Sequence, residues 1–323
     1  METAQALLQR LEWTVIRRLD GLLQGDYRTL LRGTGLDLAD LREYQQHDDV
    51  RHIDWNVTAR LQQPYVRVFT EDREMAAWFV LDLSASVDFG SGQRVKSDVA
   101  TEFVAVLSRL LTRHGNRVGA LLFGGADTVI PPRSGRQHLL TLLHTLGTHA
   151  QARRRERAKH QPRPQPHTEA QTTPLAAWLQ SAAHLIHRRS TVFVVSDFIS
   201  EPGWEKPLGQ LALRHDVVAV RLFDPLEQAL PDLGLLTFHD AETGEQLRVD
   251  THDANFRQRF ERLAAEREDA LRAALGKAGV DTLELSTDED LVDTLTRFTE
   301  LRKRRAFGSR ASARLPLHLK QVA

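Results

Sequence analysis

The stretch Phe79-Val80-Leu81-Asp82-Leu83-Ser84-Ala85-Ser86 decides the fold. An apolar run enters an acidic residue and then two hydroxyls at alternating positions. Such a run suits a strand buried on both faces of a parallel sheet, since a half-exposed strand would alternate apolar with polar residues. The switch to Asp-x-Ser-x-Ser marks where the strand leaves the core. Ligand crevices of open α/β sheets lie at the carboxyl ends of strands. Asp82, Ser84 and Ser86 are therefore expected together at a crevice mouth, all presenting oxygen.

Oxygen donors of this kind suit a hard cation. Magnesium takes oxygen ligands and usually keeps several waters. Two neutral hydroxyls with one or two carboxylates bind an ion without cancelling its charge, so the ion still seeks an anionic ligand. A serine-rich turn without metal accounts for the same residues. Asp-x-Ser-x-Ser at a strand end resembles the metal-ion-dependent adhesion site of von Willebrand factor A domains.

Composition sets the outer bounds. The chain has 323 residues, with Lys+Arg and Asp+Glu both at 43. That length allows one large α/β domain with additions, or two domains. The balanced charge argues against a dedicated nucleic-acid or membrane-surface binder. No cysteine is present, which excludes disulfides, thiolate metal sites and a cysteine nucleophile. No apolar run approaches the ~20 residues that span a bilayer. The amino end lacks the apolar core of a signal peptide. These features set the expectation of a cytoplasmic protein.

Working outward toward the amino end, Leu7, Leu8, Leu11, Val15, Ile16 and Leu19 recur at helical spacing, so an amphipathic helix is expected within residues 1–27. Residues 28–73 are dense in charge and read as a small β-rich addition before the first core strand. Tyr44, Ile53 and Trp55 are isolated large apolar residues there, expected to anchor this segment against the body. The segment contains Arg42-Glu43-Tyr44, Asp48-Asp49-Val50-Arg51, Ile53-Asp54-Trp55 and Ala59-Arg60. At these spacings the string resembles the bacterial DUF 58 family, whose members carry a von Willebrand A-like domain. His47 stands where the family usually has glycine. The resemblance covers about residues 28–300.

Toward the carboxyl end, residues 97–113 read as a helix and 118–123 as a second buried strand. Residues 128–130 read as a short return strand stopped by Pro131-Pro132, and 139–146 as helical. Residues 148–172, with the basic run Arg153-Arg154-Arg155, read as a flexible loop. This loop lacks the aromatic residues that stack bases, so no nucleic-acid partner is expected. Thr173 precedes Pro174 and caps a helix. A third buried strand, 190–195, ends in Ser196-Asp197. The DUF 58 resemblance implies that Thr173 supplies a third hydroxyl and Asp197 the last aspartate of the metal site. Asp224 and Glu227 read as turn formers and caps. Further strands are expected at 217–223 and 281–285, a hairpin around 240–245, and long helices at 254–278 and 289–302. The von Willebrand A-like domain thus spans 74–303, and 304–323 reads as a basic tail.

The β-α alternation predicts an α/β fold, a doubly wound and mostly parallel sheet flanked by helices. No G-x-x-x-x-G-K-[ST] phosphate loop and no G-x-S-x-G elbow occur, which removes two common enzyme classes. The expected site is Asp82, Ser84, Ser86, Thr173 and Asp197. It would hold a divalent cation, magnesium first and manganese or calcium as alternatives. The DUF 58 resemblance implies a non-catalytic interaction module working with a MoxR-type AAA+ ATPase and its client, in protein maturation or chaperoning. A magnesium-dependent phosphohydrolase, with Asp82 and Asp197 as its only candidate base or nucleophile, is one alternative. A scaffold with a vestigial metal site is the other. Membrane-associated partners are compatible with the lack of a spanning segment.

Overall fold

Strand β3, Ala76–Asp82, lies inside a six-stranded sheet with the order β10-β7-β6-β3-β4-β5. The structure is a computed structural model that describes residues 4–19, 40–44, 53, 55–68, 76–125, 127–159, 174–239 and 246–308. The sheet's other strands are β4 (Arg117–Phe123), β5 (Thr128–Arg133), β6 (Thr191–Ser196), β7 (Asp216–Phe223) and β10 (Asp281–Ser286). All neighbours pair in parallel except β4 with β5. The chain leaves β3 toward β4 and β5, then returns to β6 on the other side of β3. The strand order therefore reverses between β3 and β6, which is where an α/β sheet opens a crevice.

Helices cover both faces, which is why the strands read as continuous apolar runs. One face carries α1 (Ala4–Leu11), α3 (Lys96–Arg113), α4 (Arg136–Lys159) and α8 (Leu291–Gly308), packed on Phe79, Leu81, Phe193 and Val195. The other carries α5 (Leu175–Leu185), α6 (Glu205–Arg214) and α7 (Ala254–Ala278), packed on Trp78, Val80, Val192 and Val194. Alternate residues of one strand thus serve two cores. On the first face Phe103 of α3 meets Phe79 and Phe193 edge-on, at 6.1 and 6.0 Å between ring centroids, while Phe79 stacks on Phe193 at 5.4 Å. This trio fixes α3 across β3 and β6.

The amino-terminal helix continues through a π-helical turn, Glu12–Ile16, and buries Leu8, Leu11, Ile16 and Leu19 in the first core. Its apolar stripe packs on the main body, in keeping with its spacing. In the segment 28–73, β1 (Asp40–Glu43) pairs antiparallel with β2 (Tyr65–Val68), and a short helix, α2 (Trp55–Leu61), lies between them in sequence. The hairpin of β8 (Leu235–His239) and β9 (Gln246–Asp250) forms its own two-stranded sheet.

Several sequence expectations need correction. Trp55 is 69% exposed, so it is not the buried anchor its size suggests, whereas Tyr44 and Ile53 are half-buried. Helix α4 runs through the basic residues to Lys159 instead of giving way to a loop at 148. Its first half packs Leu139, Leu142, Leu143 and Leu146 into the core, and a helix so nucleated adds residues at little cost. Strand β5 runs through Pro131 and Pro132, because an edge strand tolerates residues without an N–H. Helix α8 continues to Gly308, into the segment read as a tail. His47, Thr173, residues 160–172, the hairpin turn 240–245 and residues 309–323 lie outside the described residues. Among the described residues, no helix is long and apolar enough to cross a membrane.

Candidate metal centre

The loop after β3 is held from below. Leu83 N–H donates to the Phe123 carbonyl (2.8 Å), extending the β3–β4 ladder by one residue. A short 3-10 turn, Ala85–Asp88, follows and buries Val87. Gly124 leaves β4 at φ +91, and a Cβ there would lie 2.6 Å from the Ser84 nitrogen. Only glycine combines that conformation with so close an approach. The loop carrying Ser84 and Ser86 therefore has a fixed floor.

Asp82 is 3% exposed and accepts hydrogen bonds from Ser84 N–H to Oδ1 (2.8 Å), from Ser196 Oγ to Oδ2 (2.7 Å) and from the Ser84 hydroxyl. Ser84 Oγ and Ser86 Oγ lie 3.0 Å apart. Burial, followed by the nearby charge of Asp197, pushes the Asp82 carboxyl up to about 6, and the hydrogen bonds from Ser84 and Ser196 only partly offset this. No ammonium or guanidinium among the described residues pairs with Asp82. A buried carboxylate in that state gains from any cation that reaches it.

Asp197 has the opposite surroundings. Its Oδ2 accepts from Lys96 Nζ at 2.8 Å and its Oδ1 from Ile199 N–H at 3.0 Å. Lys96 is the first residue of α3 and is 1% exposed. Its ammonium also donates to Glu227 Oε1 (2.7 Å) and lies 5.9 Å from the Phe89 ring centroid. Burial works against the charge on Lys96, but the facing carboxylates of Asp197 and Glu227 outweigh it and hold the ammonium above the usual lysine value. Glu227 Oε2 in turn accepts from Asp224 N–H (3.0 Å). Asp224 accepts from Thr287 Oγ1 (2.6 Å), Ser91 N–H (2.9 Å) and Leu226 N–H (2.9 Å). Burial opposes ionisation of Asp224, and these hydrogen bonds more than compensate, keeping its carboxyl below the ordinary range. Between Asp197 and Ile199, Phe198 takes φ +57. Such a conformation costs of order 1–3 kcal/mol. It is held by Phe198 N–H donating to Ser196 Oγ (2.9 Å) and by ring contact with Trp204 (5.1 Å).

Of the expected site residues, Asp82, Ser84, Ser86 and Asp197 stand together at the β3–β6 switch point. Thr173 lies outside the described residues. Sequence reasoning missed Lys96, and it assigned Glu227 only to a cap. Glu227 does close the turn Pro225–Glu227, and it also neutralises the buried ammonium. One signal was available. A lysine in the first turn of a helix opposes the helix dipole, which asks for a specific acidic partner.

Does the site fit a divalent cation? Among the described residues, no three His, Cys, Asp or Glu side chains group as a metal cage. The donors at the mouth are instead one carboxylate and two hydroxyls. A carboxylate offers about four lone-pair positions, and the hydrogen bonds that Asp82 accepts from Ser84 and Ser196 leave room for a cation. With Asp82, Asp197 and Glu227 ionised, three carboxylates against one ammonium leave two negative charges uncompensated. The chemistry and the charge both fit a hard divalent ion held by Asp82, Ser84 and Ser86. Bound there, it would supply an electrophilic position for an outside oxygen ligand.

Relatives place the chain in a family. The description "Protein of unknown function DUF58" matches residues 40–270. The uncharacterized protein Rv1480 of Mycobacterium tuberculosis is 39% identical over 303 residues, covering 93% of this chain and 90% of the relative. Among solved structures, an aerotolerance-related membrane protein of Bacteroides fragilis overlaps 72% of this chain and 99% of its own, at 13% identity and a TM-score of 0.43. The SpRpn10 VWA domain overlaps 68% and 93%, at 12% identity and a TM-score of 0.31. Scores this low leave the architecture resting on the strand order and the two helix layers. The family match covers well over half of the sequence and Rv1480 matches nearly all of it, so this chain belongs to the DUF58 family.

Proposed function

We propose that this chain is a non-catalytic, divalent-cation-dependent protein-interaction module. The ion, magnesium in the first instance, is held by Asp82, Ser84 and Ser86, and its remaining position takes an acidic side chain from a partner. The observation that carries this reading is Asp82 itself. It is a buried carboxylate without a cationic partner among the described residues, beside two paired hydroxyls at the sheet's switch point. The pairing of Ser84 with Ser86 favours coordination over nucleophilic attack. The family resemblance carried by residues 42–60 supports a MoxR-type AAA+ ATPase acting on a client protein as the partner, and in this reading the chain works in the cytoplasm.

The test is partner affinity measured in magnesium, in EDTA and across a monovalent salt series. A metal-bridged contact depends on the divalent ion, whereas a surface ion pair fades with salt through screening. Asp82→Ala and Ser84→Ala should weaken the complex as EDTA does. Unchanged affinity in EDTA, with circular dichroism showing a folded chain, would sink the metal-bridged reading in favour of a plain scaffold. Magnesium-dependent turnover of a generic phosphate ester would instead favour a hydrolase.

A further inference from the structure

Lys96 has no place in the reading so far, yet it is one of the most completely buried charges in the described structure. We propose that Lys96 is a positioning residue that withholds Asp197 from the cation, so that Asp82 is the carboxylate that binds it and Asp197 acts only through its charge. This rests on the Asp82, Ser84, Ser86 mouth being a divalent-cation site.

Each oxygen of Asp197 accepts a hydrogen bond, Oδ2 from the charged Lys96 Nζ at 2.8 Å and Oδ1 from Ile199 N–H at 3.0 Å, whereas the donors to Asp82 are all neutral. The ion pair is closed to solvent, with Lys96 and Asp197 side chains each 1% exposed. Separating such a pair strands two buried charges, so water does not exchange for it. The ammonium is also held from a second side by Glu227 Oε1 at 2.7 Å. Its backbone is fixed as well. Lys96 N–H donates to the Phe89 carbonyl (2.9 Å), and a Cβ on Gly90 would lie 2.4 Å from the Arg94 carbonyl oxygen, so the entry to α3 is packed backbone to backbone. Phe103, wedged against Phe79 and Phe193, holds the helix further along. Releasing Asp197 would require this buried ammonium to give up its bonds to two carboxylates. A divalent ion approaching Asp197 meets a fixed positive charge, while one approaching Asp82 meets the neutral donors of Ser84 and Ser196 and, among the described residues, no cation.

The experiment is a Mn2+ titration of the full chain followed by electron paramagnetic resonance of the free ion, with no partner present. Wild type should bind, and Asp82→Asn should abolish binding. Asp197→Asn, whose amide oxygen still accepts from Lys96, should cost about tenfold, the low end for an outer-shell partner. Lys96→Met should tighten binding through the released carboxylate, and adding Asp197→Asn to it should remove that gain. Loss of the lysine's charge would by itself raise cation affinity, so the double variant decides: Asp197→Asn should cost more in the Lys96→Met background than in wild type only if the freed carboxylate binds the ion. If Lys96→Met fails to fold, Lys96→Met with Glu227→Gln strands one carboxylate fewer and carries the gain-of-binding arm. Abolition of binding by Asp197→Asn, or unchanged or weaker binding on loss of Lys96, overturns the proposal while leaving the cation site in place. If wild type binds no Mn2+, the cation reading of the native chain fails. The role of Lys96 then stands only if Lys96→Met gains binding that Asp197→Asn removes, and otherwise fails with it.

Discussion

Asp82 and Asp197 leave adjacent parallel strands at the same edge of the sheet, and both are almost wholly buried. Their surroundings are nevertheless opposite. Asp197 meets an ammonium and a backbone N–H, and through Lys96 it joins a web that runs by Glu227 to Asp224, Ser91 and Thr287. Asp82 meets only weaker neutral donors, and its carboxyl is raised to about 6, first by burial and then by the charge of Asp197. One strand end is electrostatically closed and the other is open. A buried carboxylate with its counter-charge built in is a structural element, whereas one without it calls for a ligand from outside. Position at a strand end is common to both, so the charge partner separates the two roles.

The comparison breaks most visibly at Lys96. Lys96→Met leaves the buried Asp197 and the half-buried Glu227 without their cation, and loss of one partner of a buried pair costs roughly 3–5 kcal/mol. Urea unfolding should show that loss. A change under about 1 kcal/mol would mean that the web is solvated and the contrast with Asp82 is lost.

The open end is tested by adding its missing charge. At roughly a hundred times the dissociation constant, magnesium should stabilise the wild-type chain by about 2.7 kcal/mol. The same ion should give Asp82→Ala no thermal shift. Equal shifts in the two proteins would place the ion elsewhere.

The far side of the closed web gives a smaller effect, with a pH signature. Thr287→Val removes one hydrogen bond to the Asp224 carboxylate and should cost about 1–3 kcal/mol at neutral pH. Asp224 ionises more readily folded than unfolded, so its contribution is fully present above the ordinary carboxyl value of 3.8 and is lost as pH falls through its lower folded value. The wild-type and Thr287→Val stability curves should therefore converge toward acid. Curves that stay parallel below pH ~4 would show that Asp224 does not depend on Thr287.

Trp55 supplies the smallest effect. A side chain 69% exposed should be replaceable by alanine within about 0.5 kcal/mol of stability. A loss of partner binding in that variant would mark α2 as part of an interface, since tryptophan is enriched among residues that carry binding energy. A loss of several kcal/mol in the isolated chain would show that Trp55 is buried in solution.

The sequence by itself determined the layers of this protein and one half of its candidate site. The apolar run through β3, the helical spacing of α1 and α3, and the Asp-x-Ser-x-Ser step are short-range patterns, because side-chain direction repeats within a few residues along any strand or helix. Those patterns placed Asp82, Ser84 and Ser86 at a strand end, and the family resemblance, not the local pattern, added Asp197. Tertiary structure alone decided what each carboxylate faces. Lys96 meets Asp197 across 101 residues of sequence and Glu227 across 131, and only the sheet order brings their segments together. Trp55 shows the same limit, since a large apolar residue announces a preference for burial but cannot supply the surface that covers it. Periodicity is fixed by the local backbone, whereas the partner of a buried charge is fixed by which distant segments the fold sets side by side.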